Sequence, residues 1–264
     1  MKNINFFDYT NNIKTLDSFL SLGYVDESHG VKIDKFARAE LQNNVLATVA
    51  SFNEGISVNT FKPFNDSLLD LNIVSDSASD THEITINYVN GDRDLKVATV
   101  TLQGTTPINL STLFNDSIYC VWRMTNKSNR DNIGTISVQS VVGETYCNMP
   151  ITSGLQANNS LTSIFSVPRG YIGLITKVSI STDKGADAKG AIFTREENQV
   201  FRYVKALASY QNQSLYNDIY AVVSEKTDLL PVAIAQTGGI LYLDYTVLLL
   251  KKEFVGKNLK GNDI

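Results

Sequence analysis

Residues that carry chemistry are scarce in this chain. There are two histidines, His29 and His82, each in a polar stretch with no fixed partner in sequence. A serine or cysteine nucleophile needs a positioned base, so nucleophilic catalysis has no visible machinery. The two cysteines, Cys120 and Cys147, are not at a zinc spacing, and no other soft ligands accompany them. They read as small hydrophobes inside strands. A disulfide between neighbouring strands is the alternative, and a cytosolic origin counts against it. Glycine-rich phosphate loops and short-period repeats are missing. The longest apolar stretch near the end, Val247-Leu248-Leu249-Leu250, is far too short to cross a bilayer. Residues 1–8 hold no long apolar run and no small-residue cleavage site. The expectation is a protein made and assembled in the cytosol, with no membrane partner. Net charge is −4, so bulk electrostatics gives no reason to expect nucleic acid.

What is present is apolar and patterned. Hydrophobic residues make up 43% and charged residues 19%, which suits a globular fold and not a disordered chain. A length of 264 residues can bury a real core, as one large or two small domains. Residues 1–55 show helical spacing: Ile13, Leu16, Phe19 and Leu20 on one face, then Ile33, Phe36, Ala37 and Leu41. A glycine-bounded polar linker at 23–30 separates them. This predicts an arm of short helices that must dock on the body or on a neighbouring subunit, with Phe19 and Phe36 among its contacts.

Beyond that the period becomes two. Ile84, Ile86 and Tyr88 alternate with Thr85, Asn87 and Val89, and Asn90-Gly91 follows as a hairpin signal, because both residues tolerate positive φ. Strands are predicted at 95–102, 118–124 and 134–139, and the Gly104-Thr105-Thr106-Pro107 break lies among them. After Pro150 come strands at 163–167, 171–180, 190–195, 200–207, 216–223, 231–235 and 240–250, with Pro168-Arg169-Gly170 as a turn. The fold class is mainly β. It comprises an antiparallel sandwich over 56–148, a second, jelly-roll-like one over 149–254, and a basic tail at 255–264.

Candidate sites are few. Asp80-Thr81-His82-Glu83 reads as a polar loop entering a strand, not as a metal or acid–base cluster. Asp76, Ser77, Ser79 and Asp80 lack the spaced acids and distal Glu of a calcium loop. Glu196 and Glu197 are adjacent, so on a strand or turn they point apart and do not converge on a bond. Arg169, Arg195 and Arg202 flank Phe201 and Tyr203, and arginine among aromatics is the composition of interface hot spots. No cofactor is expected.

The stretch Leu71-Asn72-Ile73-Val74-Ser75-Asp76-Ser77-Ala78-Ser79-Asp80-Thr81 resembles a "V-S-S-S-A-x-D-T" opening in a poorly characterised family of tailed-bacteriophage virion proteins. There it leads into a hairpin and an "L-x-G-T-T-P/A" turn, here Leu102-Gln103-Gly104-Thr105-Thr106-Pro107. Phe165-Ser166-Val167-Pro168-Arg169-Gly170 is similar to the family's later "Y-T-V-P-A-G" turn, with Arg169 where alanine is usual. The resemblance runs from about Leu71 to Tyr203. It implies a non-enzymatic virion component, foremost a capsid decoration or minor capsid protein. Its implied partners are copies of itself and the major capsid, portal, tail or fibre proteins. It carries no catalytic residues. The alternatives are a tail-, collar- or fibre-associated adaptor or a host receptor-binding module, in which tyrosines and Trp122 line a groove. An enzyme such as a polysaccharide depolymerase would need convergent carboxylates that the sequence does not display.

Overall fold

In the computed structural model the described residues are 30–49, 61–151, 158–160, 162–183, 187–209 and 215–254. The helical stripe at 13–20, with Phe19, and the tail at 255–264 lie outside them. The chain is mainly β. Its strands are β1 (Gly30–Leu41), β2 (Ala47–Thr48), β3 (Leu71–Ser75), β4 (Glu83–Asn90), β5 (Leu95–Thr101), β6 (Ile108–Asn109), β7 (Ile118–Asn126), β8 (Ile136–Ser140) and β9 (Thr145–Met149). They continue as β10 (Phe165–Ser166), β11 (Tyr171–Thr182), β12 (Ala188–Arg195), β13 (Arg202–Ser209), β14 (Leu215–Val223), β15 (Asp228–Ala235) and β16 (Gly239–Lys251). One short helix, α1 (Leu110–Phe114), is capped by Asn109, whose side chain accepts from Thr112 N–H.

The strands form four small antiparallel sheets. In the first half, β6-β3-β8-β9 and β5-β4-β7 enclose a core that includes Leu71, Ile73, Ile84, Ile86, Met124 and Val138. In the second, β1-β16-β11-β14 and β10-β15-β12-β13, with β2 added on β15, enclose Ile33, Ile175, Ile180, Leu243 and Val247. Alternation is clean in β3 and β8, which each bury every second side chain.

Strand β7 departs from that rule, and the departure joins the halves. Its first five residues, Ile118 to Trp122, are all buried. Ile118, Val121 and Met124 enter the first core, whereas Tyr119, Cys120 and Trp122 enter the second. Two irregularities in the β4–β7 register produce the split. Val89 pairs with Cys120 but Asn90 with Ile118, and Asn87 pairs with Arg123 but Tyr88 with Val121. Tyr119 and Trp122 are therefore the extra, bulged residues, and bulges re-aim side chains. Both cysteines are buried and free.

Two expectations are corrected here. Residues 30–41 are not a helix: β1 pairs with β16 along its whole length, from Gly30 opposite Leu250 to Leu41 opposite Gly239. Ile33 and Lys35 face inward while Asp34 is exposed, a period of two that the sparse stripe Ile33-Phe36-Ala37-Leu41 conceals. The long apolar β16 supplies a partner edge, and pairing of that extent overrides local spacing. Residues 30–49 are thus built into the second half. The hairpin at Asn90-Gly91 forms, but its left-handed residue is Arg93, at φ 68°. Arg93 N–H donates to Asn90 O and Asn90 N–H to Asp94 O, a three-residue loop whose final position is left-handed.

The serine- and aspartate-rich loop after β3 ties the first half together. Buried Asp80 accepts from Ser75 Oγ at 2.6 Å, Ile133 N–H at 2.8 Å and Gly134 N–H at 2.9 Å, and Asp76 accepts from Thr135 N–H at 2.8 Å. The two loops approach so closely that a Cβ on Gly134 would lie 2.0 Å from Asp76 Oδ1 and 2.6 Å from Ser77 N. Backbone cannot yield there without moving the loop. Gly134→Ala is expected to destabilise the fold by roughly 1–3 kcal/mol, the cost of an overpacked site. A urea melt checks this; an unchanged midpoint contradicts the close approach.

Candidate functional site

The bulged residues of β7 each anchor a polar site where the halves meet. At Tyr119 the site is a charged seam. Asn65 sets one side of it: its side-chain N–H groups donate to Leu69 O and Ile118 O, which fixes the loop that carries Phe64 and Asp66. The left-handed Arg93 delivers its guanidinium from the β4–β5 turn. Asp228 opens β15, Ser166 closes β10 and Arg195 ends β12. Arg93 Nη1 donates to Asp228 Oδ1 and to Ser166 Oγ, each at 2.8 Å, and Ser166 Oγ donates to Asp228 Oδ1 at 2.8 Å. Tyr119 OH donates to Asp228 Oδ2 at 2.6 Å, and Arg195 Nε donates to the same oxygen at 2.9 Å. The Arg195 fork also grips Asp66, with Nη2–Oδ1 at 2.6 Å and Nη1–Oδ2 at 3.0 Å.

Two cations and two carboxylates balance, and aromatic faces enclose the cations. The Arg93 guanidinium carbon lies 3.3 Å from the Tyr119 ring centroid, and that of Arg195 lies 4.6 Å from Phe201 and 5.3 Å from Phe64. Burial and the neighbouring Asp228 carboxylate push the Tyr119 phenol far above its ordinary value. Burial pulls Arg195 down, but Asp66, Tyr119 and Asp228 outweigh it, so its guanidinium is held more firmly charged than usual. Chemically the seam is a clamp, with the Asp228 carboxylate accepting from both arginines, Ser166 and Tyr119.

At Trp122 the site is a cavity of about 340 Å³ among β1, β7, β16 and the segment before β10. Lys35 is 3% exposed, and its ammonium donates to Trp122 O at 2.7 Å. It lies 5.3 Å from the Trp122 ring centroid and 5.8 Å from that of Phe165. Burial, and secondarily the Arg123 charge, push the Lys35 amine down to about 7. Trp122 Nε1 and Thr162 Oγ1 are buried with no hydrogen-bond partner among the described residues. Arg123 Nη2 donates to Asp34 O at 2.8 Å, and Thr246 Oγ1 donates to Asp34 Oδ1 at 2.7 Å. Burial, together with the Asp34 charge, raises Asp244 despite its bond to Ser179.

The arginine and aromatic candidates are placed as follows. Arg195 and the half-buried Phe201 belong to the seam. Arg169 is exposed, and its fork meets Asp94 of the β4–β5 turn at 2.9 and 3.1 Å, while its N–H donates to Arg93 O at 2.7 Å. It thus latches the same junction from outside. Arg202 is exposed and reaches only Gln199 among the described residues, at 3.4 Å. Phe36 lines the cavity and lies 6.3 Å from the Tyr242 ring. The Tyr203 side chain and Phe19 lie outside what is described. Arg93, Asp228, Asp66, Tyr119 and Lys35 do not stand out in the sequence. Their only local signals are a charge opening the apolar run of β15 and a lysine at an inward position of β1.

No protein-family model matches the chain, and no curated protein matches it. Among solved structures it is similar to the infectious bursal disease virus VP2 subviral particle, at 8% identity and a TM-score of 0.22, over 86% of this chain and 73% of that one. It is also similar to the structure of infectious bursal disease virus Gx strain, at 10% identity and a TM-score of 0.20, over 87% and 78%. A superposition this shallow fixes neither fold nor role.

Proposed function

We propose that the chain is a non-enzymatic structural component of a tailed-bacteriophage virion, assembled in the host cytoplasm. It acts as a capsid decoration or minor capsid protein, through contacts with other virion proteins and with copies of itself. The observation that carries this reading is the seam. Asp228 and Asp66, with Arg93 and Arg195, clamp two β bodies that already share β7, which favours the described residues acting as one block. A shell component needs that rigidity and broad surfaces. Its outer strands suit the role. Among the described residues β5 pairs only with β4 and β14 only with β11, and these edges expose Val97 and Val222. Unpaired edges are templates for another chain and are covered in assemblies. Repeated copies would then meet through closed rotational symmetry.

Co-sedimentation of the purified chain with purified capsids tests the reading. Saturable binding at a fixed ratio per capsid is the expected result. Failure to bind capsid and tail alike would remove the proposal, and binding to tails alone would replace it with the adaptor reading.

A further inference from the structure

The sheet β1-β16-β11-β14 meets the second core with one face only. Ile33, Ile175, Val247 and Leu249 lie in that core, so by alternation Ile172, Leu174, Leu248 and Leu250 point to the other side. They are neighbours there. Leu248 pairs with Leu174, Leu250 with Ile172, and Leu174 with Val222 of β14. The outer face therefore carries a contiguous aliphatic patch, at the end where Gly30 pairs with Leu250.

Leu248 is the informative member. It is fully buried, yet it belongs to neither core. Its strand neighbours, Lys32 on β1 and Leu174 on β11, lie beside it in the sheet and not above it. A residue on a sheet face open to water keeps part of its surface in solvent. Burial of Leu248 on this side thus calls for a cover over the sheet. Val222, on the edge strand, is 66% exposed and marks where such a cover stops.

The sequence offers an occupant. On a helix Ile13, Leu16, Phe19 and Leu20 fall within an arc of about 120°, and Lys14, Asp17, Ser18 and Ser21 fall outside it. Gly23 follows as a stop signal. A helix this short is marginal in water and needs an apolar surface. The chain enters the described body at Gly30, at the end of the patch. From Leu20 to Gly30 it can reach about 35 Å. The face is only three strand spacings wide from β1 to β14, about 14 Å. The tether crosses the patch with slack, and a tether this short holds the segment at roughly millimolar effective concentration. That favours the same chain over a second copy. The tail at 255–264 leaves from the same end, but it carries Lys257 and Lys260 and no aromatic residue.

We propose that residues 12–22 fold back as an amphipathic helix on the outer face of β1-β16-β11-β14, with the Ile13, Leu16, Phe19 and Leu20 stripe over Leu248. The contact closes an apolar surface that would otherwise join chains indiscriminately. It stands whether or not the chain acts in a virion, since both surfaces belong to this chain.

Cross-linking of the full chain in dilute solution tests this. Cys120 and Cys147 are buried and stay out of the reaction. Ser21→Cys, on the polar side of the stripe, and Val222→Cys, at the exposed edge of the patch, are joined with a short bis-maleimide. A fast intrachain link is the expected product. Leu16→Asp with Phe19→Asp in the arm, or Ile172→Lys on the face, is expected to slow it at least about tenfold, because each removes apolar burial. The arm variants leave every described residue intact, so they decide even if Ile172→Lys does not fold. A link that forms as fast with the two aspartates present reports the tether alone and overturns the docking, as does the absence of any link. A covalent dimer in place of the intrachain link overturns docking on the same chain. Linking from Leu259→Cys, with none from Ser21→Cys, gives the face to the tail and overturns the assigned occupant.

Discussion

Replacing Asp228 with asparagine is expected to lower the stability of the folded chain by about 3–5 kcal/mol, the usual cost of breaking a buried pair from one side. The side chain is 2% exposed and accepts from Arg93, Arg195, Ser166 and Tyr119. Asparagine keeps the shape but removes the charge, and it puts an NH2 group, which only donates, where one of the two accepting oxygens stood. Arg93, 10% exposed, then has no carboxylate, and Arg195 keeps only Asp66. Asp66 is 58% exposed, so Asp66→Asn is expected to cost no more than about 1 kcal/mol, as surface pairs do. The contrast between the two variants in urea is the measurement. Because breaking a pair costs more than the pair itself contributes, the double variant Arg93→Met with Asp228→Leu should recover part of the loss. An Asp228→Asn variant within about 1 kcal/mol of the parent would mean that the seam is no clamp, and the rigid-block reading would lose its support.

The legibility of this fold divides along the same lines as its physics. Strands with one face in a core announce themselves by alternation, as at Leu71-Asn72-Ile73-Val74 or in the inward Leu241, Leu243, Tyr245 and Val247 of β16. Turns with strong chemistry are legible too: Gly170 takes a positive φ of 81° after Pro168. What stays hidden is whatever depends on a distant partner. Whether 30–41 is helix or strand is decided by β16, some two hundred residues away. The two bulges in β7 follow from packing on both faces, and an apolar run such as Ile118-Tyr119-Cys120-Val121-Trp122 does not say which residue will be extra. The sites divide in the same way. Arg195 stands out for its aromatic neighbours, which do enclose it, but its carboxylates come from positions 66 and 228. Lys35 is inconspicuous in sequence because an inward lysine looks like any other until the strand's faces are known.

Burial of Lys35 gives the second large effect, and its sign follows from linkage. The folded chain holds this amine at about 7, against 10.5 for an unperturbed lysine, with burial the leading cause. Between those values the unfolded state binds more protons than the folded one, so stability rises with pH. Below about pH 7 both states are charged, and the folded chain bears the full cost of a buried ammonium. A tenfold change in proton affinity is worth about 1.4 kcal/mol, so from about pH 7 to 8.5 this residue alone should add on the order of 2 kcal/mol. The buried thiols are pushed upward, Cys147 to about 11, and begin to act at the upper edge of that interval, where thiols of the unfolded chain start to ionise. Their sign is opposite: the folded state keeps those protons longer, so stability falls once the unfolded thiols ionise. Lys35→Met preserves much of the side-chain volume and cannot titrate. Its stability should exceed the parent's at about pH 6, the gap should close as pH rises, and its profile should be flat where the parent's climbs. Urea melts of both proteins at about pH 6, 7 and 8.5, in buffer free of carboxylates, measure this. Parallel profiles would mean that the amine titrates alike in the folded and unfolded chain, and its burial beneath Trp122 would then be the feature to abandon.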